Sequence, residues 1–398
     1  MSRPVACAFV VLALLGVARG QDALREARVV RFDPEASTVV LAAGGREHAF
    51  RVTGETRFDG KAGVVSPRTA RLFLHRGVSV GFAAGADDAL TAVRFDPVPH
   101  ADTSRMKPLP ELGADAYGGR PGGLYPDGKN ERPLAHERAG LALAAEVRPL
   151  DESGRPSGGG RVVLLSVGMS NCTQEFSAFK ALADRDSQRD PRVLLVDGAQ
   201  GGMTAARIQD PESPEGRRYW ATSDERLASV KATPAQVQAV WLKEADMIPD
   251  AGFPEYAQAL QSGMRAIVRF LPRHFPNVKL AYLSCRTYGG YATTMLNPEP
   301  YAYESGFSVK WLVEEQIRGL PGLSPDASKG PREAPWLSWG PYLWANGETP
   351  NSEGLSFAPE DFVADGTHPS ARGQRTVAER LLRFFRTDST AKPWFLGR

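Results

Sequence analysis

Asp365-Gly366-Thr367-His368-Pro369 sets a carboxylate and an imidazole three residues apart, on a turn just before the final amphipathic stretch. The chain has only six His, and this one has an acid spaced to orient it. Such a pair is the general-base half of a serine hydrolase. The imidazole takes the nucleophile's proton, while the carboxylate fixes the tautomer and stabilises the imidazolium. A His near an acid is more often a surface accident, so the reading depends on finding a nucleophile and an oxyanion site elsewhere. Four other segments put polar or glycine-rich residues directly behind apolar runs. They are Gly168-Met169-Ser170-Asn171, Asp197-Gly198-Ala199-Gln200-Gly201-Gly202, Lys243-Glu244-Ala245-Asp246 and Cys285-Arg286.

Those positions matter because of the elements that carry them. From Gly160 onward, apolar runs alternate with helical stretches. The runs 161–167, 192–196, 237–242 and 278–283 are almost continuously apolar, as strands buried on both faces are. The segments 174–183, 256–271 and 371–385 have apolar residues near helical spacing. The alternation predicts an α/β domain with a parallel sheet covered on both faces. In such sheets ligands bind at the carboxyl ends of the strands, which is where Ser170 and the other segments fall. Ser170 is placed either as a helix N-cap or as a nucleophile, and the two roles are compatible. The Gly201-Gly202 pair either brings backbone N–H groups close to a ligand or serves as a plain turn.

Composition excludes several function classes. Hydrophobic residues make up 42% of the chain and charged residues 24%, ordinary values for a globular protein. Arg3, the apolar run from Val5 to Val17 and the small residues at Ala18 and Gly20 read as a secretory signal over 1–20, too short to span a bilayer. No later segment is apolar enough to cross a membrane. Losing Arg3 and Arg19 takes the formal charge from +2 to 0. No basic run or aromatic-basic interleaving points to a nucleic-acid partner. Cys172 and Cys285 remain, either as one disulfide or as two buried thiols. The expected location is secreted or periplasmic.

Residues 21–98 carry short β-branched runs separated by turns, which predict a small all-β barrel. It is similar to barrel modules attached to secreted bacterial proteins. Its His48 and His75 lack metal-ligand spacing, and no cofactor or metal is expected. The Pro- and Gly-rich stretch 99–116 reads as a linker, and 117–390 as the α/β domain. The loop 122–130 mixes an aromatic and polar groups into its turns, and it reads as an ordered loop lining a site.

Taken in order, Gly-Met-Ser-Asn after the first strand, the Gly-bearing loop after the second and Asp-x-x-His before the last helix resemble the SGNH (GDSL-like) hydrolase superfamily. Gly168-Met169-Ser170-Asn171 is similar to the opening motif of its carbohydrate acetylesterase branch. Trp241-Leu242-Lys243-Glu244-Ala245-Asp246 resembles that branch's third block, shortened by one residue. The resemblance implies a flavodoxin-like three-layer α/β/α domain preceded by the barrel. It implies Ser170 as nucleophile, His368 as base and Asp365 as orienter, with the Ser170 and Gly202 N–H groups in the oxyanion hole. The family's third donor is an Asn side chain. This chain has Lys243 and Glu244 in that region, which leaves Asn171 or Lys243 as substitutes. Gln200 and Arg286 are candidate substrate contacts, Arg286 for a carboxylate or phosphate, although a structural salt bridge serves Arg286 equally well. The runs 296–307 and 336–344 resemble secreted bacterial SGNH-like proteins of unassigned substrate. Their Trp and Tyr residues suit sugar stacking or, more commonly, packing. The expected activity is hydrolysis of an ester, with an O-acetylated carbohydrate or small molecule as substrate. The alternatives are a non-catalytic ligand-binding protein and a lipid or thioester hydrolase.

Overall fold

The computed structural model describes residues 24–33, 36–60, 63–70, 73–74, 78–95, 101–249 and 251–396. The signal segment 1–20 and His75 lie outside them. The chain divides into two units, the first ending at Asp96 and the second beginning at Pro97.

In the first unit, seven strands form one sheet: β1 (Arg25–Asp33), β2 (Thr38–Ala43), β3 (Arg46–Arg51), β4 (Arg57–Gly60), β5 (Gly63–Val65), β6 (Ser79–Ala84) and β7 (Leu90–Phe95). A single helical turn, α1 (Pro67–Ala70), interrupts them. The order is β3-β2-β1-β6-β7-β4-β5, antiparallel except for the parallel β4–β7 pair. Val29, Val39, Leu41, Phe58, Phe82 and Val93 fill its core. Among the described residues no ladder joins β3 to β5, and an isolated parallel bridge from Arg51 to Ala89 ties the end of β3 to the segment before β7. Arg46, Glu47 and His48 are exposed along β3, and charged side chains of this kind protect an open edge from further pairing.

The second unit begins earlier than its composition suggests. The stretch read as a linker contains α2 (Leu109–Leu112), with Leu109 and Leu112 buried. The Leu109 N–H donates to Tyr342 Oη at 2.9 Å, and Asn346 Nδ2 donates to the Thr103 carbonyl at 2.7 Å. Two apolar side chains on one helical turn suffice to dock a Pro-rich segment whose backbone finds partners. The unit also runs past residue 390, through α10 (Lys392–Phe395), which buries Trp394 and Phe395.

Its elements are the short hairpin β8 (Ala116–Tyr117) and β9 (Arg120–Pro121), then α3 (Leu134–Glu146), β10 (Val162–Gly168), α4 (Ser170–Ala183), β11 (Val193–Asp197), α5 (Ala205–Ile208), α6 (Pro214–Ser229), β12 (Val237–Lys243), α7 (Glu255–His274), β13 (Leu280–Leu283), α8 (Tyr301–Ile317), β14 (Trp336–Trp339) and α9 (Ala371–Thr387) before α10. Strands β10 to β14 form a parallel sheet in the order β11-β10-β12-β13-β14. Taken in chain order this is 2-1-3-4-5, a doubly wound arrangement that reverses beside its first strand. Every residue of β10, β12, β13 and β14 is buried, which explains the continuous apolar runs. Helix α4 packs on α9, and α7 on α8.

β14 is the strand that periodicity missed. Trp336, Trp339 and Trp344 are core residues, so this aromatic cluster is packing and is not available to stack on a sugar. The loop 122–130 is tied to β14, with Tyr125 Oη 3.0 Å from Ser338 Oγ. Cys172 and Cys285 are both free, buried thiols. Among the described residues, no helix is long and apolar enough to cross a membrane.

Candidate active site

β10 runs out at Gly168, where a Cβ would lie 2.2 Å from the Lys243 carbonyl oxygen on β12. Only glycine permits the two strand ends to approach so closely. Met169 is extended and occupies the N-cap position of α4, and no side chain caps the helix there. Ser170 is therefore the first helical residue and does not spend its hydroxyl on a cap. Its Oγ lies 2.8 Å from His368 Nε2.

His368 is held from behind. Its Nδ1 is 2.5 Å from Asp365 Oδ2, while Asp365 Oδ1 accepts the backbone N–H groups of Thr367 and His368, each at 2.9 Å. Gly366 makes the turn at φ 64°, and a Cβ there would meet the Tyr291 carbonyl at 1.8 Å. Burial opposes ionisation of Asp365, but the hydrogen bonds from His368 and the backbone outweigh it and hold the carboxyl below its usual range. A carboxylate on Nδ1 fixes the tautomer with the proton there, leaving Nε2 to accept from Ser170. The imidazole is 23% exposed and the carboxylate 26%, so the relay opens to solvent. This arrangement can deprotonate a serine hydroxyl and return the proton to a leaving group.

The Gly201-Gly202 turn runs beside the hydroxyl, since a Cβ on Gly201 would lie 3.9 Å from Ser170 Cβ. Gln200 N–H donates to the Gly168 carbonyl at 2.9 Å, and among the described residues the Gly202 N–H meets no backbone acceptor. That leaves Gly202 N–H, with the N-terminal N–H of α4, as backbone donors for a developing oxyanion.

The other expected site residues stand elsewhere. Lys243 is not an oxyanion donor: it is fully buried, and its Nζ lies 2.6 Å from both carboxylate oxygens of Glu175. Burial draws the Lys243 pKa down against the opposing pull of Glu175. Asn171 is turned away as well, donating from Nδ2 to the Thr367 carbonyl at 2.8 Å. It thereby clamps the loop that carries Asp365 and His368. Gln200 Nε2 donates to the Tyr219 carbonyl at 2.8 Å, so it fastens its own loop. Glu244 is 1% exposed. Burial, with Asp246 nearby, raises its pKa well above the usual carboxylate range. Arg286 is 2% exposed, and among the described residues no salt bridge accounts for it.

Two supporting acids were not foreseen. Glu175 sits on the apolar face of α4 with Cys172, Phe176 and Phe179, and an acid at a buried helical position was the signal for it. Asp197 closes β11. It accepts from Ser166 Oγ at 2.6 Å, from Ser177 Oγ at 3.2 Å and, more closely, from Thr173 Oγ1, so it joins β10, β11 and α4 behind Ser170.

Comparison with known proteins adds general likeness. No protein-family model and no curated protein matches the chain. Solved structures do match it. A protein of Slackia heliotrinireducens assigned to the SGNH hydrolases is 14% identical, with 56% of this chain and 99% of that one covered and a TM-score of 0.29. The periplasmic domain of a lipopolysaccharide acetyltransferase of Salmonella ser. Paratyphi A is 11% identical, with 63% and 95% covered and a TM-score of 0.31. A carbohydrate esterase with divergent catalytic and non-catalytic binding functions is 12% identical, with 58% and 71% covered and a TM-score of 0.32. At such scores the site's own geometry has to carry the functional reading.

One carboxyl away from the relay offers a clean pH test. Glu304 on α8 is buried and accepts from Tyr117 Oη at 2.9 Å, while its second oxygen has no partner. Burial pushes its pKa up to about 7, with Glu299 adding to the rise. An ordinary glutamate loses its proton near 4.3 when unfolded. Between about pH 4.3 and 7 the native state thus holds a proton that the unfolded state has lost, and stability falls as pH rises. Glu304→Gln is expected to remove that decline and to gain roughly 3–4 kcal/mol relative to the parent well above pH 7. Denaturant unfolding at pH 5 and pH 8 checks it: equal effects of the substitution at both values would contradict the buried, protonated carboxyl.

Proposed function

We propose that this protein is an exported serine esterase of the SGNH type, and that it removes acyl groups, chiefly O-acetyl, from a carbohydrate. The observation carrying this is the unbroken hydrogen-bond relay from Asp365 through His368 to Ser170, beside the Gly201-Gly202 turn. Ser170 Oγ attacks the ester carbonyl as His368 Nε2 takes its proton. The Ser170 and Gly202 N–H groups receive the oxyanion. His368 then protonates the departing alcohol, and the acyl-enzyme is cleaved by a water that the same imidazole activates. The acetylated carbohydrate rests on the resemblance of the Ser170 and Trp241 segments to the acetylesterase branch, and export rests on residues 1–20.

The absence of a side-chain donor in the third block favours one competing reading, a fold that binds the ligand without cleaving it. One missing donor typically lowers turnover by about a hundredfold to a thousandfold, which slows an esterase without abolishing it. A fluorophosphonate probe distinguishes the two. Stoichiometric labelling of Ser170, mapped by peptide mass, is the expected result, and an unlabelled Ser170 in folded protein would favour the binding reading. A screen of acetylated sugars against acyl lipids then sets the substrate class.

Asn171 is a positioning residue in this scheme. Asn171→Ala frees the Thr367 carbonyl and loosens the turn bearing His368. The expected outcome is a fall in kcat of about 10- to 100-fold on p-nitrophenyl acetate, with KM little changed, since small misplacements of a base are that damaging. A change confined to KM would show that Asn171 contacts substrate instead.

A further inference from the structure

The Gly201-Gly202 turn carries a backbone donor but cannot hold itself in place. Neither glycine has a side chain to pack, and among the described residues a Cβ on Gly202 would meet only Arg207 Nη1, at 3.9 Å. Backbone of this kind is free to move unless its flanks are gripped. Upstream, the Gln200 N–H donates to the Gly168 carbonyl and its side-chain amide to the Tyr219 carbonyl. At the turn, Arg207 Nη1 donates to the Gly202 carbonyl at 2.9 Å. Downstream, the anchor comes from a different strand.

Asp246 stands three residues beyond β12. Its Oδ1 accepts the Ala206 N–H at 2.8 Å, and hydrogen bonding from the Thr204 hydroxyl favours its charged form as well. Two residues earlier, hydrogen bonding from the Ala205 N–H favours the carboxylate of Glu244. The third block therefore brings acids to the three residues that follow Met203.

The main chain around Asp246 makes a second connection. The Asp246 carbonyl accepts from Asn297 Nδ2 at 3.2 Å, and the Ile248 N–H donates to the Met295 carbonyl at 2.7 Å. Asn297 is 3% exposed and sits at φ 65°, a conformation that Asn tolerates better than most residues. The loop held in this way also grips the base. Thr293 donates to the Asp365 carbonyl from its N–H at 2.9 Å and from its hydroxyl at 3.3 Å.

We infer that Asp246 is a positioning residue of this site: its carboxylate holds the segment behind Gly202, and its carbonyl ties that segment, through Asn297, to the turn bearing Asp365 and His368. This rests on the esterase reading above and adds to it how the oxyanion donor and the base keep one spacing. With no side-chain donor from the third block, the backbone N–H groups receive the oxyanion unaided, and their placement counts for more.

Asp246→Ala is expected to lower kcat on p-nitrophenyl acetate by about a hundredfold, the cost of a displacement on the order of 1 Å at a reacting centre, with KM little changed. Asp246→Asn keeps an oxygen for the Ala206 N–H and is expected to stay within about tenfold of the native kcat. Rates are taken per mole of protein shown to be folded by circular dichroism, so a purely structural role would leave kcat unmoved. An unchanged kcat in Asp246→Ala protein, a loss confined to KM, or an Asn variant as impaired as the Ala variant overturns the proposal. If Asp246→Ala does not fold, Asp246→Glu carries the comparison. It moves the carboxylate by one methylene, and a fall in kcat of about tenfold is expected, with an unchanged kcat counting against the proposal. Hydrogen exchange read by mass spectrometry separates this inference from the esterase reading, because it needs no turnover. In Asp246→Ala protein the amides of 200–209 should exchange faster, and those of α4 should not. That result in a chain whose native form hydrolyses no ester would sink the esterase and leave Asp246 holding its loop. Native turnover that Asp246→Ala leaves intact, with exchange unchanged, would do the reverse.

Discussion

Ser170→Ala is expected to lower kcat on p-nitrophenyl acetate by roughly 10⁴- to 10⁶-fold, the scale on which a serine hydrolase loses its nucleophile. The residual rate should be that of an oxyanion site without a nucleophile. Asp365→Asn is expected to cost about 10⁴-fold, because an amide against Nδ1 no longer enforces the tautomer that leaves Nε2 free. Combining the two should do little more damage than Ser170→Ala alone, since residues acting as one unit are not additive. Full activity in Ser170→Ala protein would remove the mechanism outright. Additive losses in the double variant would mean that Asp365 acts through something other than the hydroxyl.

The second large effect is on stability. Lys243 and Glu175 are both fully buried and paired at 2.6 Å. The pair bolts α4, whose first residue is Ser170, to the end of β12. Lys243→Met leaves a carboxylate in the interior without its cation, and a loss of about 3–5 kcal/mol in the α/β unit is expected. Adding Glu175→Gln should restore much of that loss, because the damage comes from the orphaned charge more than from the missing contact. Urea denaturation followed by tryptophan fluorescence reads both variants. A double variant no better than Lys243→Met would mean that the methylene packing of Lys243, not its charge, supports the strand end.

These predictions also divide what the sequence disclosed from what it concealed. Runs such as Val162–Gly168 announce strands buried on both faces, and the strand-end rule then turns attention to Ser170 without any coordinates. Asp365 and His368 lie on one turn, so their pairing is local and readable. The partners of single buried charges are not readable in the same way. Lys243 ends an apolar strand, and nothing in its own neighbourhood says that its counter-ion sits on α4 at Glu175. Asn171 has the right chemistry for an oxyanion donor, but its direction is set by a carbonyl at Thr367, a contact nearly two hundred residues away in sequence. Trp336–Trp339 escaped because a four-residue aromatic strand has too few positions for a period to appear. The stretch from 99 to 116 escaped because Pro and Gly mask the two leucines that dock it.

The relay joins residues separated by 198 positions along the chain. Ser170 sits near the beginning of the α/β unit, and His368 arrives with the turn before α9, the helix that packs on α4. During synthesis the hydroxyl thus emerges long before the base that the relay pairs with it. Docking of α9 against α4 is the same event that brings the imidazole to the hydroxyl, so the relay is completed only by folding.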